Sequence, residues 1–305
     1  MHFTTSTLLP LLAVPLASAH YTFSGLMHDG KMVGRDWEYI REHKRGYMPT
    51  KFDEILADDF RCNQGASSGA STSVYSVKPG DKIGFKQAFG ATAIEHPGPV
   101  QVYMSKAPGD VKSYDGSGDW VKVFEGLLCK DQGAEGLKTN SWCSWGDNTI
   151  DFVVPSTLPS GEYLVRVEHI AIHGAHDKQA EFYYSCAQVS LEGSSATSIP
   201  GEKVKIPGVY AVDDAPINFS VWGQSTTYPE IPGPEVIPGG QFRGSVDGKS
   251  AQTVTVQGGS EQNEKEPVQT PAATSSAAAA QTSCPHIGSP AAEPFNQKHD
   301  QSDMQ

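Results

Sequence analysis

Hydrophobic and polar residues alternate with a period of two along several stretches of the chain, and no long stretch shows a helical period. The clearest alternation runs from Tyr163 to His173 and follows a turn signal at Leu158-Pro159-Ser160-Gly161. A second runs from Glu181 to Leu191, and shorter ones flank the turn signal Lys78-Pro79-Gly80-Asp81. Many short strands joined by such turns are typical of a β-sandwich rather than of alternating strands and helices. We therefore predict an all-β sandwich with long loops.

Composition changes at both ends of the chain. Residues 1–19 contain an apolar run followed by Ala17-Ser18-Ala19, which is the pattern of a secretory signal peptide and its cleavage site. Residues 243–305 contain one aromatic residue and no Leu, so they cannot bury enough apolar surface to become ordered. We predict a signal peptide at 1–19, an immunoglobulin/fibronectin-like β-sandwich domain at 20–242, and a low-complexity, disordered C-terminal tail at 243–305.

Charge and composition exclude several classes of protein. The 305 residues carry 23 Lys and Arg against 35 Asp and Glu, and the net charge of −12 argues against nucleic acid as a partner. No apolar run reaches the roughly 18 residues that a membrane-spanning helix needs. The five cysteines are too few for a small domain held together by disulfides. We expect a secreted, extracellular monomer that has no nucleic-acid partner and no membrane span.

Secretion exposes cysteines and asparagines to oxidation and glycosylation. Two cysteines lie at the ends of separate predicted strands and two flank a Gly-rich loop, while Cys284 is left in the tail and can stay free or pair between chains. The predicted disulfides are therefore Cys62–Cys186 and Cys129–Cys143. Asn218-Phe219-Ser220 is a sequon, so Asn218 is a predicted glycosylation site.

Cleavage after Ala19 makes His20 the new amino terminus. An N-terminal His offers its α-amine and its ring Nδ1 to one metal ion, and the amine has a pKa of about 7.7–8.0, so a divalent metal can displace its proton. A second His completes three nitrogens, which suits Cu(II). The candidates for this second ligand are His28, His43, His96, His169, His173 and His176. His96 is favoured because it precedes the rigid turn Pro97-Gly98-Pro99, although a lone His is more often structural.

Six blocks of sequence, in order along the chain, are similar to those of one known family. The blocks are His20-Tyr21 and residues 59–63, 96–106, 161–173, 182–188 and 231–234. Over about residues 20–238, the chain resembles the fungal copper-dependent lytic polysaccharide monooxygenases of auxiliary activity family 9, formerly glycoside hydrolase family 61. Each block alone is weakly diagnostic, and their order carries the resemblance.

The resemblance implies an enzyme, a copper-dependent lytic cellulose monooxygenase. Such an enzyme cleaves β-1,4-glucan oxidatively at C1 and/or C4, with one copper ion, O2 or H2O2 as co-substrate, and an external electron donor. The donor is a small molecule or a protein such as a cellobiose dehydrogenase. His20 and His96 match the two arms of the family's histidine brace, and Tyr183 matches its weak axial ligand. His173 matches the histidine that hydrogen-bonds the oxygen species.

The chain departs from the family at Glu181, where the family usually has Gln. Residues 181 and 183 share one face of a strand by period two, so both side chains can reach the same site. A carboxylate there differs electrostatically from an amide, so we expect Glu181 to change reactivity and pH dependence. The resemblance also places Tyr21 and Tyr228 near the flat copper face, as candidates for stacking on sugar rings.

Two other classes of function stay open. The chain could bind copper at a cell surface with the same brace but cleave no polysaccharide, which Glu181 and the acidic tail favour. It could also be a non-catalytic carbohydrate-binding sandwich in which the brace is unused. A hydrolase is disfavoured because Asp58 and Asp59 are adjacent in a predicted loop, whereas glycosidases need two carboxyl groups across a sugar.

Overall fold

A computed structural model of the chain describes residues 20–88 and 93–258. The predicted signal peptide, residues 259–305 of the predicted tail and Cys284 lie outside the described residues, so those predictions stay predictions. The strands are β1 (Phe23–His28), β2 (Lys31–Val33), β3 (Thr50–Lys51), β4 (Tyr75–Val77), β5 (Lys82–Gln87), β6 (Val100–Lys106), β7 (Val121–Gly126), β8 (Thr149–Val153), β9 (Gly161–Ala171), β10 (Glu181–Leu191), β11 (Gln241–Arg243) and β12 (Thr253–Thr255). The helical segments are one short α-helix, Gly133–Leu137, and 3₁₀ turns at Phe52–Leu56, Asp58–Phe60, Val111–Ser113, Ala175–Asp177 and Ala215–Ile217.

The strands form two sheets, which confirms the predicted β-sandwich. The smaller sheet has the order β2-β1-β5-β8, and the larger has the order β12-β11-β7-β6-β9-β10-β3 with β4 pairing parallel to β10. The main core combines Phe23 and Phe85 of the smaller sheet with Val102, Val167 and Val189 of the larger one, all fully buried. Burying side chains of this kind stabilises the fold by about 1.5–3 kcal/mol each.

The two longest strands, β9 and β10, are buried on both faces. Their outward faces lie under long loops and join a second core cluster that includes Phe60, Trp120 and Tyr210. The polar positions of the β9 alternation are therefore buried instead of solvated. Arg166 pairs with Glu168 at 2.5 Å, and its guanidinium lies 4.8 and 4.4 Å from the ring centroids of Phe60 and Tyr184. Such pairing offsets the cost of burying charge.

The predicted end of the sandwich domain at residue 242 is wrong. Strand β11 pairs parallel to β7, and β12 pairs antiparallel to β11, so the ordered chain continues past residue 242. Ser245 also bridges Leu128 through backbone hydrogen bonds of 2.9 and 3.1 Å. Side chains of β12 are exposed. The hydrophobic pattern missed this segment because backbone pairing at a sheet edge holds much of it, and its apolar residues that pack against the core, such as Val246, are few and only partly buried.

Both predicted disulfides are confirmed. Cys62–Cys186 ties the loop before β4 to strand β10 with a Cα–Cα distance of 5.2 Å, and Cys129–Cys143 closes a loop of sequence separation 14 with a Cα–Cα distance of 4.8 Å. Across the described residues, no helix is long and apolar enough to cross a membrane.

Candidate metal centre

Two histidines from distant parts of the sequence meet at one end of the sandwich. His20 lies just before β1, where the amide of Ala88 donates a 2.8 Å hydrogen bond to the carbonyl of Thr22. His96 lies just before β6. The ring centroids of His20 and His96 are 6.4 Å apart, with an angle of 71° between the planes. The structure therefore brings together the pair that the sequence singled out.

The segment after His96 is held rigidly against the end of β9. The amides of Ile172 and Ile170 donate to the carbonyls of Pro97 and Pro99 at 2.9 and 3.0 Å. A Cβ at Gly98 would lie 1.8 Å from the carbonyl oxygen of Ile170, so only glycine allows the two backbones to approach this closely. The predicted rigid turn thus fixes the backbone that carries His96.

Tyr183 lies next to both histidines in a stack of aromatic rings. Its ring centroid is 6.3 Å from that of His20 and 5.9 Å from that of His96. Tyr21 stacks on Tyr183 with centroids 4.3 Å apart, and the Tyr21 hydroxyl shares a hydrogen bond with Nδ1 of His169. His169 pairs with Tyr183 across the β9–β10 hairpin. Because of this packing Tyr183 is only 2% exposed, and Tyr21 supports one face of its ring.

His173 and Glu181 complete the cluster from the two sides of the loop that joins β9 to β10. The His173 ring stacks on the His96 ring with centroids 4.5 Å apart and an interplanar angle of 20°. The Tyr183 hydroxyl donates to Oε2 of Glu181 at 2.7 Å, and Nε2 of His173 is 3.8 Å from the same oxygen. Nζ of Lys51 donates to the other oxygen, Oε1, at 2.7 Å. The sequence did not single out Lys51.

The surroundings shift the pKa values of these groups in ways that the contacts explain. Burial lowers the pKa of His169 to about 3, so its imidazole is neutral. Burial also lowers the pKa of His173, and nearby Glu181 opposes this. Burial raises the pKa of Tyr183, and its hydrogen bond to Glu181 raises it further. For Glu181 itself, burial favours the neutral acid, but hydrogen bonds from Lys51 and Tyr183 outweigh burial and keep the carboxyl pKa low.

The donor set at this end of the sandwich suits a metal that prefers nitrogen. Two imidazoles that bind one ion from opposite sides at about 2 Å each have ring centroids roughly 6 Å apart, and those of His20 and His96 are at 6.4 Å. Within the described part of the chain, no three His, Cys, Asp or Glu side chains converge on one metal position. A metal here therefore needs ligands of other kinds, such as the α-amine of His20 after cleavage and the Tyr183 phenol.

Other candidates for the second histidine ligand serve other purposes. Nδ1 of His28 hydrogen-bonds the hydroxyl of Tyr75 at 2.8 Å, and Nε2 of His43 hydrogen-bonds Oγ1 of Thr22 at 2.9 Å. His176 lies on the surface with Nε2 3.3 Å from Oδ2 of Asp177.

The predicted stacking role of Tyr21 and Tyr228 is wrong. Tyr21 is 5% exposed beneath Tyr183, and Tyr228 is 1% exposed, with its hydroxyl donating to the carbonyl of Pro216 at 3.0 Å. A buried ring cannot stack on a sugar. The exposed aromatic beside the site is Trp222, which is 53% exposed and whose Nε1 donates to the carbonyl of His173 at 2.8 Å. The sequence signal that could have identified Trp222 as exposed is that small and polar residues, 223–227, follow it.

The sequon residue Asn218 ends the 3₁₀ turn Ala215–Ile217. Its Nδ2 donates to the carbonyls of Val212 and Asp214 at 3.0 and 2.8 Å. The side chain is partly exposed, and its glycosylation stays a prediction.

Comparison with known proteins identifies the family. The sequence model of Auxiliary Activity family 9 (formerly GH61) matches residues 20–228. The chain belongs to auxiliary activity family 9. It is 51% identical over 227 residues to the AA9 family lytic polysaccharide monooxygenase G of Aspergillus tamarii, covering 74% of this chain and 68% of that protein. It is 46% identical over 259 residues to monooxygenase A of Aspergillus fumigatus, covering 82% and 87%.

A solved structure of the same family shares the fold. A cellulose-active polysaccharide monooxygenase from M. thermophila superposes with a TM-score of 0.60 and 30% identity, covering 72% of this chain and 100% of that one. Together with the family match, this makes the chain an AA9 polysaccharide monooxygenase with a β-sandwich fold. The residues matched by the family model, 20–228, include His20, His96, Tyr183 and Glu181.

Proposed function

We propose that this AA9 protein is a secreted, copper-dependent monooxygenase that cleaves β-1,4-glucan, above all cellulose, at C1 and/or C4. The observation that carries the proposal is the meeting of His20, His96 and Tyr183, with ring centroids 5.9–6.4 Å apart, at the end of the sandwich. Removal of residues 1–19 supplies the α-amine, so His20 and His96 hold copper through three nitrogens, a set that Cu(II) prefers.

Each residue around the metal position has a distinct task. Copper supplies redox chemistry with O2 or H2O2 and with electrons from an external donor. Tyr183, whose ring lies beside both histidines, would be a further ligand, and its phenol proton stays on oxygen because Glu181 accepts the hydrogen bond at 2.7 Å. His173 stacks on His96, and its imidazole would be placed to donate a hydrogen bond to a co-substrate that enters beside the histidines. Tyr21 stacks on the Tyr183 ring and holds it in place.

Substrate binding is assigned to the surface beside these residues. Trp222 exposes about half of its indole, and its hydrogen bond to the His173 carbonyl fixes the ring next to the site. An exposed, anchored aromatic ring is suited to stacking on the face of a sugar. The cellulose activity named for the M. thermophila relative supports cellulose as the substrate of this chain.

The remaining parts of the proposal concern location and partners. The apolar run and small-residue site in residues 1–19 support secretion, and the two disulfides are consistent with an oxidising compartment. We assign the electron supply to a small molecule or a protein such as a cellobiose dehydrogenase, and we expect the enzyme to act as a monomer.

A copper titration separates the proposal from its alternatives. Mature protein beginning at His20 is titrated with Cu(II) by calorimetry, and the same protein is then incubated with cellulose and ascorbate for mass spectrometry of the products. We expect one tightly bound copper and reductant-dependent aldonic acids or C4-oxidised sugars. Tight copper without oxidised products from any glucan would favour a copper-binding protein. If the parent protein bound Cu(II) no more tightly than His96→Ala does, a copper site built on His20 and His96 would be excluded.

A further inference from the structure

The carboxylate of Glu181 is the most constrained charge near the metal position. It is 6% exposed, and each of its oxygens has its own partner. Nζ of Lys51 donates to Oε1 at 2.7 Å, while the Tyr183 hydroxyl donates to Oε2 at 2.7 Å. The carboxylate is therefore shared between the Lys51 ammonium on one side and the Tyr183 phenol on the other.

The pairing of strand β3 with strand β10 places Lys51 beside Glu181. Strand β3 pairs antiparallel to β10, so that Lys51 lies directly opposite Glu181 and Thr50 lies opposite Phe182. Oγ1 of Thr50 hydrogen-bonds the hydroxyl of Tyr184 at 2.9 Å, which fixes the register of this two-residue strand. Opposed residues on one face of an antiparallel pair are within side-chain contact. The ammonium reaches Glu181 while part of the lysine chain remains in solvent.

Removing the ammonium would leave a buried carboxylate with only the Tyr183 phenol as a close donor. A buried charge without its partner is strongly unfavourable, and the carboxylate can then leave the Tyr183 phenol by rotating. Rotation allows it to bind a cation directly, because carboxylate oxygens are ordinary metal ligands. That rotation would break the Tyr183 hydrogen bond and add an oxygen ligand at the metal position. A glutamine at residue 181 carries no charge and would have neither problem.

We propose that Lys51 is a positioning residue that makes a carboxylate tolerable at residue 181: it holds Glu181 on the Tyr183 phenol and away from the metal. The proposal rests on the proposed copper site, because the contact it protects is that of Tyr183, whose ring lies beside His20 and His96. It also explains how this chain accommodates Glu at residue 181, the position at which it departs from the family's usual Gln.

The test is a double-mutant cycle read by electron paramagnetic resonance of Cu(II)-loaded protein. The variants are Lys51→Met, Glu181→Gln and the double substitution. Lys178→Met is the matched control, since this lysine also flanks the site but its Nζ lies over the Phe52 ring at 5.9 Å. Lys51→Arg tests rescue by charge. Thermal unfolding of the metal-free variants identifies any that fail to fold.

We expect Lys51→Met to change the Cu(II) spectrum and to lower cellulose oxidation by roughly ten-fold or more, as loss of outer-shell partners does. In the Glu181→Gln background the same substitution should change neither, and Lys51→Arg and Lys178→Met should keep the parent spectrum. If Lys51→Met leaves the spectrum unchanged, or acts equally in both backgrounds, the proposal is overturned. If the spectra show coupling but no variant yields oxidised sugars, only the proposed cellulose activity fails.

Discussion

Substituting Gly98 by alanine tests how the fold positions the metal centre. The new Cβ would lie 1.8 Å from the Ile170 carbonyl oxygen, far inside van der Waals contact. The segment from Pro97 to Pro99 must then move away from β9, and it loses the hydrogen bonds from the amides of Ile172 and Ile170, now 2.9 and 3.0 Å long. His96, the residue before this segment, must move with it.

The magnitude follows from those two hydrogen bonds and from the backbone strain. Two backbone hydrogen bonds contribute about 1–3 kcal/mol, and an alanine forced into an incompatible backbone adds about 1 kcal/mol. We therefore expect the free energy of unfolding to fall by about 2–4 kcal/mol in urea titrations. Copper affinity should fall by about ten-fold or more, because the misplaced ring no longer faces His20.

The matched control for this substitution is Gly109→Ala. Its added Cβ meets no atom within 4 Å, so both stability and copper affinity should stay at the parent values. If Gly98→Ala kept the parent copper affinity and unfolding free energy, the close approach of the two backbones would not be what positions His96.

Three further predictions concern pH, substrate and the end of the domain. Burial lowers the pKa of His43 to about 4 from 6.5, so stability present above pH 6.5 should be lost as pH falls to 4, by roughly 3 kcal/mol at most. The unfolding free energy, measured by urea titration at several pH values, should depend less steeply on pH in His43→Gln, by the equivalent of about one proton between pH 4 and 6.5. An unchanged pH dependence would contradict a buried neutral imidazole. Trp222→Ala should weaken cellulose binding several-fold in pull-down assays but leave copper affinity intact, and unchanged cellulose binding would contradict a stacking role for Trp222. A chain ending at residue 258 should keep the parent melting temperature, while one ending at residue 242 should lose several degrees; equal melting temperatures would show that β12 contributes nothing.

The sequence predicted the elements that rest on local patterns. Strands β9 and β10 follow from period-two alternation, and the rigid turn after His96 follows from its prolines. Both disulfides were also predicted, because each pair brackets recognisable strands or a loop. These features depend on residues close together in the sequence, or on chemistry that restricts the number of possible partners.

Features that depend on distant packing could not be predicted. Whether Tyr228 is exposed depends on Trp142 and Phe219, whose rings meet it edge-on at centroid distances of 5.1 and 5.6 Å. The partner of Glu181 depends on the register of β3, a strand of two residues with no hydrophobic pattern of its own. Period-two alternation in β9 does not show that its polar positions are buried, because nothing local shows that loops cover them.

The most direct test of the account compares mature protein beginning at His20 with the same protein carrying one extra alanine before it. The extra residue turns the α-amine into an amide and leaves every side chain unchanged. Both are loaded with Cu(II) and incubated with cellulose and ascorbate, and soluble products are measured by mass spectrometry. We predict oxidised cello-oligosaccharides from the protein beginning at His20 and none above background from the extended one. Equal yields of oxidised products from both would contradict a metal centre built on the amino terminus of His20.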